Sequence, residues 1–353
     1  MRARRILFLN NQGLDQSGGG VTLLRHLAAH FARENSVIVL AESRLPETPA
    51  GIDQRVLPRP AAARGPLWRL QALRKARHYT RAAPGLVPAV DLVIALDCHF
   101  AGAVARLRSS GRVYISLSAI PRMEWFLAGR AGGAWSFAQY VLLERRMIAW
   151  ADTCLVSSAL QAREIRRYEL LPRFDPVVLP PTLPALEPSI LSGPAILSGA
   201  SAPTIAGMAP EQVVILSVAR LEALKGLELV PELARRLADL PCVFLILGEG
   251  PQRPVLEQRV RALGLEQRVR LLGDVRDPSP YFRRADVYLH PSRYESFGMA
   301  LFEAMQHGVA PLCGAPTRRT VVATPEFLED RREGRLVDLD DPEAVAQALR
   351  EWI

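Results

Sequence analysis

The chain has 353 residues, more than one ordinary hydrophobic core accommodates, which points to two domains. Its content, 49% hydrophobic and 23% charged, is that of a globular protein, and no apolar run approaches the roughly 20 residues of a membrane-spanning helix. A net charge of +8 favours anionic partners, whether a nucleotide, a phosphorylated lipid or an anionic membrane surface, without choosing among them.

The N-terminus, MRARRILFLNNQG, starts basic, but its apolar part is only ILFL and no small-residue cleavage site follows. It reads as a first strand rather than a signal peptide. NQGLDQSGGG is a glycine-rich turn, and VTLLRHLAAHFARE is an amphipathic helix with Leu23, Leu24, Leu27 and Phe31 on one side. SVIVLA, QRVLP, DLVIAL, RVYISL and TCLVS follow as short apolar strands, the pattern of a doubly wound parallel sheet. Ligands of such sheets bind beyond the carboxyl ends of the strands. The run Gly18, Gly19 and Gly20 stands at such an end, so it is an anion or acceptor site or else a plain loop. It does not fit the dinucleotide fingerprint G-x-G-x-x-G.

Residues 59–81 carry Arg59, Arg64, Arg69, Arg74, Lys75, Arg77 and Arg81, interleaved with Leu67, Trp68, Leu70, Leu73 and Tyr79. Leu67, Leu70 and Leu73 at threefold spacing suggest a basic amphipathic helix, packed on its own domain or docked on a membrane. No recognised nucleic-acid motif accompanies it. LERRMIAWADTCLVSS is a helix running into a strand, and residues 172–212, rich in Pro, Gly, Ser and Ala, read as crossover and linker. The four cysteines (Cys98, Cys154, Cys242, Cys313) stand far apart in apolar runs. They read as buried thiols of a reducing compartment, not a disulfide framework or a zinc site.

The second alternating half starts at VVILSV and continues with CVFLIL, RVRLLG, DVYLH and VAPLC as strands. Just past the first strand lie Arg220 and Lys225, either surface charges or cations for an anionic ligand. PSRYESFGMALFEAMQHG reads as turn, helix and helix-ending Gly308. Ser296, Phe297, Gly298 and Met299 present backbone N–H groups at that helix's start, which suits a phosphate, and Gly298 lets a ligand approach closely. Glu303, on the helix body, can accept two hydrogen bonds from vicinal hydroxyls such as those of a ribose, and Glu295 can hold sugar hydroxyls. Asp338-Leu339-Asp340 fits a divalent cation or helix-capping chemistry, and the sequence favours capping. The six histidines show no zinc spacing.

Glu295 and Glu303, eight positions apart around SFG and ahead of a Gly-ended helix, resemble the signature of the family 4 retaining glycosyltransferases (group 1). The resemblance extends to VARLEALKG, LILGEGP, RVRLLGDV, GRLVDLDDPEAVAQAL and the LERRMIAWADTCLVSS segment. It implies an α/β chain of the GT-B fold, two facing Rossmann-like domains with an interdomain cleft. Residues 1–185 would bind the acceptor and residues 186–353 the nucleotide sugar. It makes Arg220 and Lys225 the clamp on the donor diphosphate, where fixed cations stabilise the charge that builds as the nucleoside diphosphate departs. Gly248 would approach the nucleotide, Val275 would hold the base through its backbone, Glu303 would take the ribose and Glu295 the donor sugar. The implied reaction is metal-independent transfer of a hexose, with retention, from a UDP- or GDP-sugar. No cofactor is implied beyond that co-substrate. The implied acceptor is a glycan, a lipid-linked molecule or a small molecule. Glycan, glycolipid or cell-envelope polysaccharide biosynthesis is the setting that the resemblance implies. Nucleic acid is not implied. The protein is expected in the cytoplasm, with the inner face of the membrane as a further location.

Departures from the family pattern are confined to the acceptor side and the end of the chain. The family histidine near Ser118 is missing; His99 in LDCHFAG is the nearest cleft-facing candidate, functional or packed, and Glu124 is a second acidic candidate. The sequence stops at EWI, where family chains continue through a helix that crosses back to the first domain. The competing reading is a catalytically silent GT-B subunit that binds nucleotide or acceptor for a partner. A nucleotide-sugar 2-epimerase would need an acid–base set that the sequence does not offer.

Overall fold

The alternating apolar runs become two parallel sheets. The computed structural model describes residues 3–11, 19–44, 50–58, 60, 70–116, 133–168, 174–181, 211–275 and 277–353. The readings placed on Gly18, Arg59, Arg64, Leu67, Trp68, Arg69, Ser118, Glu124 and most of the 172–212 linker lie outside those residues. The chain divides into two units, Met1–Pro181 and Thr182–Ile353.

The first unit has strands β1 (Arg5–Leu9), β2 (Ser36–Ala41), β3 (Ile52–Val56), β4 (Val90–Ala95), β5 (Ser109–Ser116), β6 (Thr153–Val156) and β7 (Val177–Val178). Their order is β3-β2-β1-β4-β5-β6-β7, all parallel. Successive residues of β1 enter different cores. Ile6 and Phe8 pack with Val21, Leu24 and Ala28 of α1 (Gly19–Phe31), while Leu7 and Leu9 pack with Tyr79, Val93 and Phe100. Both faces of the sheet are therefore covered, as continuous apolar strands require. Each fully buried Leu, Ile or Phe contributes about 1.5–3 kcal/mol through area removed from water.

Two sequence expectations are corrected here. The stretch read wholly as linker contains β7, paired with β6 through Leu155–Val177 and Val156–Val178. A two-residue strand between prolines carries no periodic signal. The basic segment does form a helix, α2 (Gln71–Leu86), but its buried face is Ala72, Ala76, Tyr79 and Ala83 rather than a leucine stripe; Leu70 is exposed and Leu73 half-buried. Small residues bring α2 close to α3 (Ala101–Val104), and a Cβ on Gly102 would stand 2.2 Å from Thr80 Oγ1.

The second unit orders β10-β9-β8-β11-β13-β15, again all parallel. Its strands are β8 (Val213–Val218), β9 (Cys242–Leu247), β10 (Val269–Gly273), β11 (Val287–His290), β13 (Ala310–Gly314) and β15 (Arg335–Val337). A separate parallel pair, β12 (Tyr294–Glu295) with β14 (Val321–Val322), ties down the turn read as plain loop. Ile215, Phe244, Ile246 and Leu289 line one face of the sheet. Leu216, Val243, Leu245 and Tyr288 line the other, under Leu301 and Ala304 of α4 (Met299–Gln306). Gly308, with φ 75°, ends that helix as the sequence indicates. At the last helix, Pro342–Arg350, the cap is Asp341, which accepts from Glu343 N and Ala344 N; Asp338 accepts from Asp340 N, and Asp340 pairs with Arg293 at 2.5 Å. All four cysteines are buried and free. Among the described residues no helix is long and apolar enough to cross a membrane.

In both sheets the strand order reverses once, at β1/β4 and at β8/β11. The crevice beyond the carboxyl ends of such a pair is where open α/β sheets take ligands.

Candidate functional site

In the second unit the predicted residues gather at that reversal. Arg220 follows β8, and the chain then turns through a short helical turn, Ala223–Lys225, to Lys225. Two buried leucines hold this loop, Leu221 at 1% exposure and Leu224 at 6%. Backbone hydrogen bonds add to them: Leu221 N donates to Glu249 O, Gln252 N to Leu221 O, and Arg293 N to Leu224 O. Gly226 has φ 65°, and a Cβ there would lie 1.9 Å from Pro291 O, so only glycine lets the loop after β8 touch the loop after β11. Gly248 follows β9 and donates to Gly273 O at 2.7 Å, while Val275 follows β10 half-buried.

The loop after β11 carries Glu295. Its Oε2 lies 2.7 Å from Lys225 Nζ and 3.5 Å from Ser292 Oγ. His290, 5% exposed, brings Nε2 to 3.5 Å from the same oxygen without completing a hydrogen bond. Burial by itself would raise the Glu295 carboxyl, but the Lys225 ammonium and His290 outweigh it and hold the group well below the usual carboxylate range. Glu303 has the opposite setting. Among the described residues its carboxylate has no hydrogen-bond or ion-pair partner, and burial pushes it up to about 7. Arg220 is the open cation, with a side chain 55% exposed and Nη2 2.7 Å from Glu222 Oε1.

Gly298, with φ 98°, precedes α4, and Ser296 and Met299 are half-buried beside it. The side chain of Phe297 turns into the unit, which is compatible with the backbone role read from the sequence. It is 5% exposed and stacks on Phe302 at 4.3 Å with Phe327 against both, so its backbone alone is free to meet a ligand. The geometry is a cation pair, one ionised carboxylate, one unpartnered carboxyl and the start of a helix at one sheet edge. That combination can hold an anionic group at one end and hydroxyls at the other.

Gly20 and His99 belong to the first unit. Gly20 sits in the first turn of α1, without an acidic residue near it in that turn. His99, expected to face a cleft, is 2% exposed. Its Nδ1 lies 2.5 Å from Asp97 Oδ1 and 3.3 Å from Asn11 Nδ2, and its ring meets Tyr140 edge-on. Burial would raise the Asp97 carboxyl, but His99 and then Lys75 lower it overall. Lys75 Nζ in turn pairs with Glu42 at 2.9 Å and donates to Asn11 O at 3.2 Å, and Tyr79 donates to Glu42. Sequence reasoning missed Asn11, Glu42 and Asp97, and named Lys75 only as part of the basic stretch, not as a member of this cluster. Asn11, Glu42 and Asp97 each follow a strand, which is a usable signal; Lys75 has none. Among the described residues, Asp97, Cys98 and His99 bring three donor atoms within 4.8 Å of one another, and two of them already share the short hydrogen bond.

Residues 204–353 match the family described as glycosyl transferases group 1. The matched segment lies within the second unit. Over 142 residues the chain is 31% identical to the lipopolysaccharide core biosynthesis glycosyltransferase LpsE of Rhizobium meliloti, covering 40% of this chain and 39% of that protein. Among solved structures it resembles sucrose-phosphate synthase from Thermosynechococcus elongatus, with TM-score 0.75 at 19% identity over 99% of this chain and 89% of that one. It also resembles Anabaena HepE in complex with UDP and glucose, with TM-score 0.67 at 18% identity and the same coverage. These likenesses span both Rossmann-like units and give the chain the GT-B fold. The match to the first curated relatives covers 25–47% of their length. The matched segment contains Arg220, Lys225, Gly248, Val275, Glu295–Met299 and Glu303, whereas Gly20 and His99 lie outside it.

Proposed function

We propose that the chain is a retaining, metal-independent glycosyltransferase that moves a hexose from a UDP- or GDP-sugar to an acceptor hydroxyl. The observation that carries this reading is the grouping of Arg220, Lys225, Glu295 and the start of α4 at the β8/β11 reversal, with Glu303 farther along that helix. Arg220 and Lys225 take the diphosphate and stabilise its charge as the glycosidic bond breaks. Backbone N–H groups at the start of α4 share that charge. Glu303 accepts the ribose hydroxyls, and Glu295 holds the hydroxyls of the donor sugar. UDP in the HepE complex supports the uridine nucleotide as the first donor to try, and the LpsE likeness supports a glycan or lipid-linked acceptor. Calorimetry with UDP and GDP, followed by NMR of the anomeric product from the matching sugar nucleotide, tests the reading. An inverted anomer overturns retention. Nucleotide binding without hydrolysis or transfer identifies a catalytically silent subunit instead.

The first unit contributes a place for an anionic acceptor or membrane surface. On α2, Arg74, Arg77 and Arg81 are exposed along one stripe, and the helix contains no acidic residue. Among the described residues these three arginines have no ion-pair partner. The reading places the enzyme in the cytoplasm, at the inner membrane face when its acceptor is lipid-linked. Co-sedimentation with vesicles containing anionic lipid, falling steeply with salt, supports it. Binding that is absent at low salt, or indifferent to salt, returns α2 to an ordinary surface helix.

A further inference from the structure

Both cations assigned to the donor diphosphate are engaged by carboxylates in the free protein, and the two engagements differ in kind. Lys225 with Glu295 is the enclosed one, with side-chain exposures of 24% and 13%. Arg220 with Glu222 is the open one, at 55% and 26%. Among the described residues the Glu222 side chain makes no contact beyond Arg220 that explains its orientation. It occupies the position before the Ala223–Lys225 turn, yet its side chain makes no capping hydrogen bond there. The loop is held by Leu221, Leu224 and backbone hydrogen bonds that do not involve the Glu222 carboxylate. That carboxylate turns to the guanidinium two residues back, at 2.7 Å, the geometry a phosphate oxygen would take.

We propose that Glu222 is an internal competitor for the donor diphosphate: it occupies Arg220 in the free protein and lowers donor affinity below what Arg220 and Lys225 alone would give. The inference rests on the assignment of the diphosphate to Arg220. Binding exchanges one charge-assisted contact of Arg220 for another, so Arg220 contributes less to net affinity than a free guanidinium would. The displaced carboxylate stays within a few residues of the phosphates and repels them. The pair is half-exposed, so both effects are modest and screened by salt. A site that binds a doubly charged leaving group too tightly releases product slowly, and Glu222 counters this without touching the sugar.

The experiment is calorimetry of UDP and GDP with the wild-type chain, Glu222→Gln, Arg220→Ala and the double variant, each at low and at physiological salt. Glu222→Gln is expected to tighten diphosphate binding roughly two- to tenfold at low salt, with the gain shrinking at higher salt. In the Arg220→Ala background the same substitution is expected to give less than half of that gain on a logarithmic scale, because the competition has been removed. Unchanged or weaker binding by Glu222→Gln, with wild-type binding intact and an unchanged melting curve, overturns the proposal. An equal gain with and without Arg220 also overturns it, since Glu222 then acts only as a general negative charge. If wild type and Glu222→Gln both fail to bind either nucleotide, the assignment of the diphosphate site falls and takes this proposal with it.

Discussion

Two carboxylates eight residues apart on one loop and helix end up in opposite electrostatic states. Glu295 is held ionised by Lys225 and His290, while Glu303, half-buried and without a counter-ion among the described residues, is pushed up to about 7. The consequences for stability have opposite signs. Glu295 has a depressed pKa in the folded protein, so its contribution is present above its unfolded value and is lost as pH falls toward the folded one. Glu303 has a raised pKa, so the folded state binds the extra proton; its penalty is absent below its unfolded value of 4.5 and is complete above about 7. In the proposed site Glu303 accepts ribose hydroxyls as a carboxylate, so UDP affinity is expected to rise with pH through about 7 beyond the nucleotide's own titration. Glu303→Gln should remove that excess and weaken both UDP and its sugar conjugate; an unchanged pH profile would falsify the ribose assignment. Glu295→Gln should leave bare UDP binding nearly intact and depress transfer, because contacts that strengthen in the transition state show in the rate. Loss of UDP binding in Glu295→Gln with retention in Glu303→Gln reverses the two roles. The residue types at this site were legible because Arg220, Lys225, Glu295 and Glu303 lie in short local motifs. Their states were not, since burial and the approach of Lys225 to a residue 70 positions away depend on the folded sheet.

Loops at the strand ends are positioned by backbone as much as by side chains. The turn after β8 meets the turn after β11 at Gly226, and the two-strand pairing of β12 with β14 holds Glu295 from the other side, through Ala323 N donating to Glu295 O. Gly226→Ala forces φ 65° on a residue with a Cβ and drives that carbon into Pro291 O. It is expected to cost more than about 2 kcal/mol and to weaken UDP binding by displacing Lys225. Gly264→Ala is the matched control, with the same φ of 65° but nothing within 4 Å of the added carbon, and should cost only about 1 kcal/mol. Equal melting shifts for the two variants would show that the Gly226 contact does not constrain the loop. At this scale the sequence discloses the long apolar strands and the Gly-ended helix, because period and punctuation are local. It conceals β7, β12 and β14, each two residues long, and the alanine face of α2, since alanine reads equally well as surface or as close packing. His99 is concealed for a related reason: a strand-end histidine looks available until Asp97, Asn11 and Tyr140 are seen to enclose it.

Among the described residues each unit has its own hydrophobic cores, and none of these clusters draws residues from both. A ligand held by one unit therefore stabilises that unit first, and the proposed placement of the nucleotide becomes measurable over the whole chain by hydrogen exchange. With UDP at about 100 times its dissociation constant, mass action adds about 2.7 kcal/mol to any opening that releases the nucleotide. Amides of β8, β9 and β11 that exchange through such openings should then slow by about 100-fold. The Arg220–Lys225 turn, the loop at Gly248 and the segment from Pro291 to Glu303 should gain protection by direct coverage. The cluster of Asn11, Glu42, Lys75, Asp97 and His99 should remain unchanged with UDP alone, because none of its members is assigned to the nucleotide. Protection that appears at Asn11 and Asp97–His99 while β8, β9 and β11 exchange as before would move the nucleotide to the first unit and reverse the assignment of donor and acceptor. Protection in both units at once would show that the first unit also closes on the bare diphosphate. In that case Arg74, Arg77 and Arg81 should be tested for UDP binding before vesicles, since they form an exposed cationic stripe in that unit.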